Sequence, residues 1–221
     1  MDENNLNEHK KTEVPNVKSE LWREALSWIK TILFALIFAW IFTNFVIVNA
    51  SVPTGSMEGT IRINDRIVAF RLSYLFSDPQ RNNIIVFRGP YENADLYVKR
   101  IIGVPGDTIT ISDWRVYVNG ELLEEEYVKS AFEPHSSSFR NFPDPEHPGR
   151  GDYITVPEDG SAPFITVPEG HFFVLGDNRD NSVDSRRGMG QNNNLHTFVS
   201  QDQIQGKVIF RYFPGFKNLT K

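Results

Sequence analysis

Two residues in this chain have side chains that could do chemistry together. Ser56 carries a hydroxyl able to attack a carbonyl carbon, and Lys99 carries an amine able to take that hydroxyl's proton. Ser56 stands in V-P-T-G-S-M-E-G-T, residues 52–60, and Lys99 in Y-V-K-R-I-I-G-V-P-G-D, residues 97–107. A serine between Gly55 and Met57 is ordinarily a turn residue. Two neighbours favour a further role: Gly55 lets the backbone approach a substrate closely, and Thr54 supplies a second hydroxyl two residues away.

A serine hydroxyl needs a base. The histidines are His9, His135, His147, His171 and His196, and none lies in a motif with metal-ligand or triad spacing. His171, just ahead of an apolar run, stays open as a rival base. On a strand, Tyr97, Lys99 and Ile101 share one face and Val98, Arg100 and Ile102 the other, so Lys99 has an aromatic and an aliphatic neighbour. Arg100 is always protonated and cannot serve. A free lysine with a pKa of about 10.4 is neutral only about once in 2,500 molecules at pH 7. Burial among apolar side chains can depress it by about 3 to 5 units, which nearly cancels that deficit. The competing explanation is a surface lysine snorkelling from a strand edge.

A third polar cluster, G-D-N-R-D-N-S-V-D-S-R-R, covers residues 176–187 and follows the apolar run H-F-F-V-L. Its alternating Asp180, Ser182 and Asp184 suggest a calcium loop, but the sixth position is Ser185 where glycine is required and the twelfth is Gln191 where glutamate is required. A polar turn braced by Asp and Arg pairs remains. Such a turn could hold a lysine in place, with Ser182 exchanging a hydrogen bond with it.

The elements that must position these residues are legible in outline. Thr31 to Val48 carries no charge, and with Leu26 to Ile29 it is long enough to span a hydrocarbon core of roughly 30 Å as a helix. Val48-Asn49-Ala50 resembles the small-x-small end of a signal peptide, yet the apolar run exceeds the usual h-region of about 7 to 15 residues, which favours an anchor. Lys18, Arg23 and Lys30 precede the run and Arg62 is the first positive residue after it, a bias that places the N-terminus in the cytoplasm. We therefore expect a cytoplasmic tail at 1–25, a transmembrane helix at 26–48 and an extracytoplasmic domain at 49–221, the tail being too polar to bury a core. Short β-type runs at Arg66–Tyr74, Asn83–Phe87, Leu96–Ile102, Thr108–Ile111, His171–Leu175 and Lys207–Phe213 predict a mostly β, antiparallel domain. Trp114–Val118, Asn119-Gly120 and Glu121–Leu123 form a hairpin signal, while about 129–163 reads as a variable excursion from the core. The 221 residues carry a net charge of -5, which gives no broad attraction for nucleic acid. With no cysteine, the chain has no disulfide, thiolate metal site or cysteine nucleophile.

Together these residues resemble the bacterial type I signal peptidases, the leader peptidases with a Ser/Lys dyad, in their single-span Gram-positive form. The family's three boxes appear in order as P-T-G-S-M-E-G-T-I, Y-V-K-R-I-I-G-V-P-G-D and G-D-N-R-D-N-S-V-D-S-R, with Thr54 in place of the usual serine and Gly59 in place of a proline. The resemblance implies a membrane-bound serine endopeptidase that removes signal peptides from secreted preproteins after small-x-small sites, with Ser56 as nucleophile and Lys99 as general base. It further implies Thr54 as an oxyanion donor, Ser182 as a group orienting Lys99, and Arg100, Asp177, Asp184 and Arg186 as architecture, Arg100 pairing with Asp177. Val52, Ile61, Tyr97 and Val98 match positions lining pockets for small side chains. No metal or cofactor is implied, and the expected partners are signal peptides, the lipid bilayer and the secretion machinery. The alternative is an inactive membrane-anchored β-domain that binds a partner through the excursion.

Overall fold

The computed structural model of the chain describes residues 17–89, 96–128, 142–143, 154–186 and 197–220. It divides into two units, one ending at Thr43 and the other running from Asn44 to Lys221. In the first, helix α1 covers Val17–Ile41, and a π-helical turn, Phe42–Val46, continues the chain across the division into the second. Leu21–Val46 is long and apolar enough to cross a membrane, and Trp22, Trp28, Phe34 and Phe38 are among its exposed side chains. Its 26 residues span about 39 Å at the helical rise.

The helical stretch ends at Val46, two residues short of the expected boundary. Ile47 and Val48 belong to strand β1, Ile47–Ser51, and Val48 is buried in the core. A core strand abutting an apolar helix continues the same hydropathy, so the boundary is set by pairing, with Ile47 facing Phe70 and Ser51 facing Arg66.

The second unit is mostly antiparallel β, as expected. Beyond β1 its strands are β2 (Arg66–Phe70), β3 (Ile84–Arg88), β4 (Leu96–Gly103), β5 (Thr108–Ser112), β6 (Arg115–Val118), β7 (Glu121–Leu122), β8 (Ile154–Thr155), β9 (Phe164–Thr166), β10 (His171–Leu175), β11 (Val199–Ser200), β12 (Ile204–Phe213) and β13 (Lys217–Asn218). Among the described residues these form an eight-stranded sheet ordered β1-β2-β12-β3-β4-β10-β11, with β13 on β12, and a five-stranded sheet ordered β7-β6-β5-β9-β8. The Asn119-Gly120 hairpin joins β6 to β7, both residues adopting positive φ. Arg71–Tyr74, expected as strand, is a 3-10 turn, because the pairing of both β1 and β12 with β2 stops at Phe70.

Most of the 129–163 excursion lies outside the described residues. Two described parts of it belong to the fold: Phe142 is buried and bridges Ile111 through both backbone hydrogen bonds, and β8 pairs with β9. The two I-T-V-P-E runs thus meet directly, Ile154 facing Ile165.

Hydrophobic packing fixes what surrounds the candidate residues. One cluster joins Val48, Val52, Met57, Ile61, Ile67, Ile84, Val86 and Val208, so β1, β2, β3 and β12 share it with the segment that carries Ser56. A second joins Ile85, Phe87, Ile101, Phe172 and Val174, with Tyr97 packed against it. β3 and β4 therefore sit between packed layers, which is why Ile84–Phe87 is buried without alternation.

Candidate active site

Ser56 sits in a short turn that leaves β1. Glu58 N–H donates to the Gly55 carbonyl at 3.0 Å, Thr60 N–H to Met57 at 3.0 Å and Ile61 N–H to Met57 at 2.8 Å. Met57 and Ile61, four residues apart on one face of this turn, are fully buried and pin it to the sheet. The loop's far end is closed where Val52 N–H donates to Asp65 and Asn64 N–H to Val52, at 3.0 and 2.8 Å.

Lys99 is placed by β4, where it faces Ile85 of β3. It is only 3% exposed, and its Nζ donates to Ser56 Oγ at 2.8 Å and to the Val98 carbonyl at 3.1 Å. The Tyr97 ring lies 5.8 Å from the amine. Burial pushes the Lys99 pKa down to about 8, against the Asp184 and Asp177 carboxylates, which raise it. Thr54 Oγ1 is 3.5 Å from Ser56 Oγ. His171 accepts no part in this arrangement: it opens β10, about 13 Å of strand from Leu175, and its Nδ1 contacts the Glu169 carbonyl at 2.8 Å. His9, His135, His147 and His196 lie outside the described residues.

The third cluster packs directly behind the pair. Arg100 and Asp177 form a buried two-pronged ion pair, Nε to Oδ1 at 2.8 Å and NH2 to Oδ2 at 2.6 Å. Arg186 grips Asp184 likewise, with two bonds of 2.9 Å. Burial raises the Asp184 pKa, but the Arg186 guanidinium and the Gly176 N–H outweigh it and hold the carboxyl below its ordinary range. Ser182 is buried beside Gly176, and the expected bond from its Oγ to Lys99 is not formed in this structure.

Several residues here were not singled out by the sequence. Arg179 pairs with Glu125 and donates to the Gly176 carbonyl at 3.0 Å. The Tyr127 hydroxyl donates to Glu125 at 2.9 Å, and its ring stacks 3.8 Å from the Arg100 guanidinium. Asn178 holds the serine turn itself, its N–H donating to the Ser56 carbonyl and its Nδ2 to the Gly55 carbonyl, both at 3.0 Å. Asn178 and Arg179 stand inside the third cluster and were legible as polar, whereas nothing in E-E-E-Y marked Glu125 and Tyr127 as inward-facing.

A cleft of about 600 Å³ opens over Ser56 and Lys99, and Val52, Tyr97 and Val98 line it. Ile61 does not: it lies beneath, in the cluster that backs Val52.

A hydroxyl nucleophile beside a buried amine, on an antiparallel sheet with an open cleft above them, is the make-up of a serine hydrolase. The sequence profile described as signal peptidase, peptidase S26, matches residues 25–213. The signal peptidase I of Bacillus amyloliquefaciens is 33% identical over 196 residues, covering 89% of this chain and 91% of its own. Signal peptidase IB of Staphylococcus aureus is 31% identical over 199 residues, covering 87% and 91%. A crystal structure of a signal peptidase I from Enterococcus faecalis shares 34% identity, covers 59% of this chain and 97% of its own, and superposes with a TM-score of 0.39. The chain belongs to the signal peptidase family, peptidase S26, and is a serine endopeptidase.

Gly176 shows how little slack the site has. A Cβ there would overlap the Ser56 carbonyl oxygen and the Ser182 side chain. Gly176→Ala is expected to displace the serine turn and lower the cleavage rate at least about 100-fold, since misplacement near 1 Å costs that much. Cleavage assays on folded variant, checked by thermal melting, test it; a rate near wild type would mean the turn yields without moving Ser56.

Proposed function

We propose that the protein cuts signal peptides from exported preproteins with Ser56 as nucleophile and Lys99 as general base. The carrying observation is the 2.8 Å contact between Lys99 Nζ and Ser56 Oγ, both side chains being buried. Neutral Lys99 takes the Ser56 proton as Oγ attacks the carbonyl carbon of the last signal residue. The oxyanion forms against the Ser56 N–H and the Thr54 hydroxyl. Collapse breaks the peptide bond, Lys99 returns the proton to the departing amine of the mature protein, and the signal peptide stays as an ester on Ser56. Lys99 then deprotonates a water that hydrolyses the ester. Arg100, Asp177, Asp184 and Arg186 serve as a scaffold, and Ser182, which lines the same cleft as Lys99, is the group that orients the amine.

Two free strand edges support a peptide substrate. Among the described residues β1 pairs only with β2, and β10 pairs with β4 only from Arg100 onward, leaving the edge of Leu96–Lys99 open beside the cleft. An extended peptide can add its backbone hydrogen bonds to such edges, with alternate side chains entering the cleft. Val52, Tyr97 and Val98 give that cleft apolar walls, which suits small residues at the first and third positions before the cut.

The apolar helix anchors the enzyme in the cell membrane. The excess of Lys and Arg before it places the short N-terminal tail in the cytoplasm and the β unit outside, where preproteins emerge from the secretion machinery. Ser56 follows Val46 by ten residues, at most about 35 Å of extended chain, so the reaction stays near the bilayer.

Incubating a preprotein that carries an Ala-x-Ala site with detergent-solubilised wild type and Ser56→Ala, and weighing the fragments, tests the proposal. Cleavage after the last Ala by wild type alone is expected. Equal cleavage by Ser56→Ala would remove the nucleophile, and no cleavage by wild type would favour a binding domain.

A further inference from the structure

We propose that Asn178 is a positioning residue that aims the oxyanion donor; this rests on the reading of Ser56 as nucleophile. Its Nδ2 donates to the Gly55 carbonyl at 3.0 Å. That carbonyl and the Ser56 N–H belong to one planar peptide unit, and the bond is trans, the cis bonds among the described residues being Phe142-Pro143 and Phe213-Pro214. In a trans unit the C=O and N–H point in opposite directions. Holding the Gly55 oxygen toward Asn178 therefore turns the Ser56 N–H away from the third cluster. Among the described residues this N–H has no acceptor within the protein, so it is available to an oxyanion.

The unit needs holding because of what precedes it. Glycine moves through φ and ψ more freely than any other residue, so a peptide following Gly55 rotates at low cost. Rotation would swing the N–H out of reach and offer a carbonyl oxygen in its place, which repels the developing negative charge. Asn178 opposes this at both ends of Ser56, because its own N–H donates to the Ser56 carbonyl at 3.0 Å. The asparagine is itself fixed, since the flanking Asp177 and Arg179 are locked by Arg100 and Glu125. Neither Ser56 Oγ nor Lys99 Nζ is hydrogen-bonded to it, so its influence falls on transition-state charge and leaves the base alone.

The test compares Asn178→Ala and Asn178→Asp with wild type on an Ala-x-Ala peptide, at a pH about two units above the kinetic pKa of the wild type. Asn178→Ala is expected to lower kcat by roughly 10- to 100-fold, less than deleting a donor outright, with KM within about threefold. Its kcat/KM should keep the wild-type pH dependence. Asn178→Asp keeps the size and the backbone bond but sets a carboxylate oxygen against the Gly55 carbonyl oxygen, so it is expected to be slower than Asn178→Ala. A side chain that merely filled space would give the reverse order. Wild-type kcat in Asn178→Ala, loss confined to KM, or a faster aspartate variant would overturn the proposal. Ser56→Ala in the same assay keeps the two readings apart: its survival would sink the nucleophile, whereas its inactivity beside an unimpaired Asn178→Ala would sink the positioning role alone.

Discussion

Lys99→Met is expected to abolish cleavage and to make the fold more stable. A general base contributes about 10²- to 10⁴-fold to such reactions, so on the proposed mechanism the loss should reach at least that scale. The gain in stability follows from the cost of the buried amine. Burial lowers its pKa from 10.5 to about 8, a difference of about 3 kcal/mol against the charged form. Part of this is offset by the bonds to Ser56 and Val98, so a net gain of about 1 to 3 kcal/mol at pH 7 is expected. Chemical denaturation and the cleavage assay, run on one preparation, check both halves. A variant that is inactive but less stable would mean that the amine is held favourably and is not strained by its surroundings.

The same shift sets the pH dependence of the wild type. At pH 7 about one Lys99 in ten is neutral, compared with about one in 2,500 for an unburied lysine. On the proposed mechanism the neutral form is the active one, so kcat/KM should rise with pH and level off above about 8, falling about tenfold per unit well below that.

Much of this site was legible because its parts lie in short runs whose residues meet. The pairing of Arg100 with Asp177 and the strand His171–Leu175 stand as expected, and a lysine between Tyr97 and Ile101 does find burial. What escaped depends on contacts between runs with no shared pattern. Glu125 lies among three consecutive glutamates, and only the fold turns it toward Arg179 while Glu124 and Glu126 face solvent. Asn178 works through carbonyls of another loop, for which side-chain identity gives no hint. Ile61 matched a pocket position by motif, yet it is fully buried in the core below, because its turn winds Met57 and Ile61 inward together. The end of the apolar helix was hidden by a core strand with the same hydropathy.

Asp184→Asn is expected to damage stability and move the pH profile in a fixed direction. The carboxylate is fully buried, and its loss takes from the buried Arg186 guanidinium the negative charge that it holds through two hydrogen bonds. Removing one partner of such a pair costs about 3 to 5 kcal/mol, readable as a lowered denaturation midpoint. Asp184 also raises the Lys99 pKa, so its neutralisation lets that pKa fall and the acid limb of kcat/KM shifts below about 8. A limb that stays in place or moves up would remove Asp184 from the electrostatics of the base. The folded pKa of Asp184 is depressed, so its stabilisation is present above the unfolded value of about 3.9 and fades as pH falls through the folded one. The gap between wild type and variant should therefore narrow in strong acid. A gap constant down to that range would mean that shape, and not charge, is what Asp184 contributes.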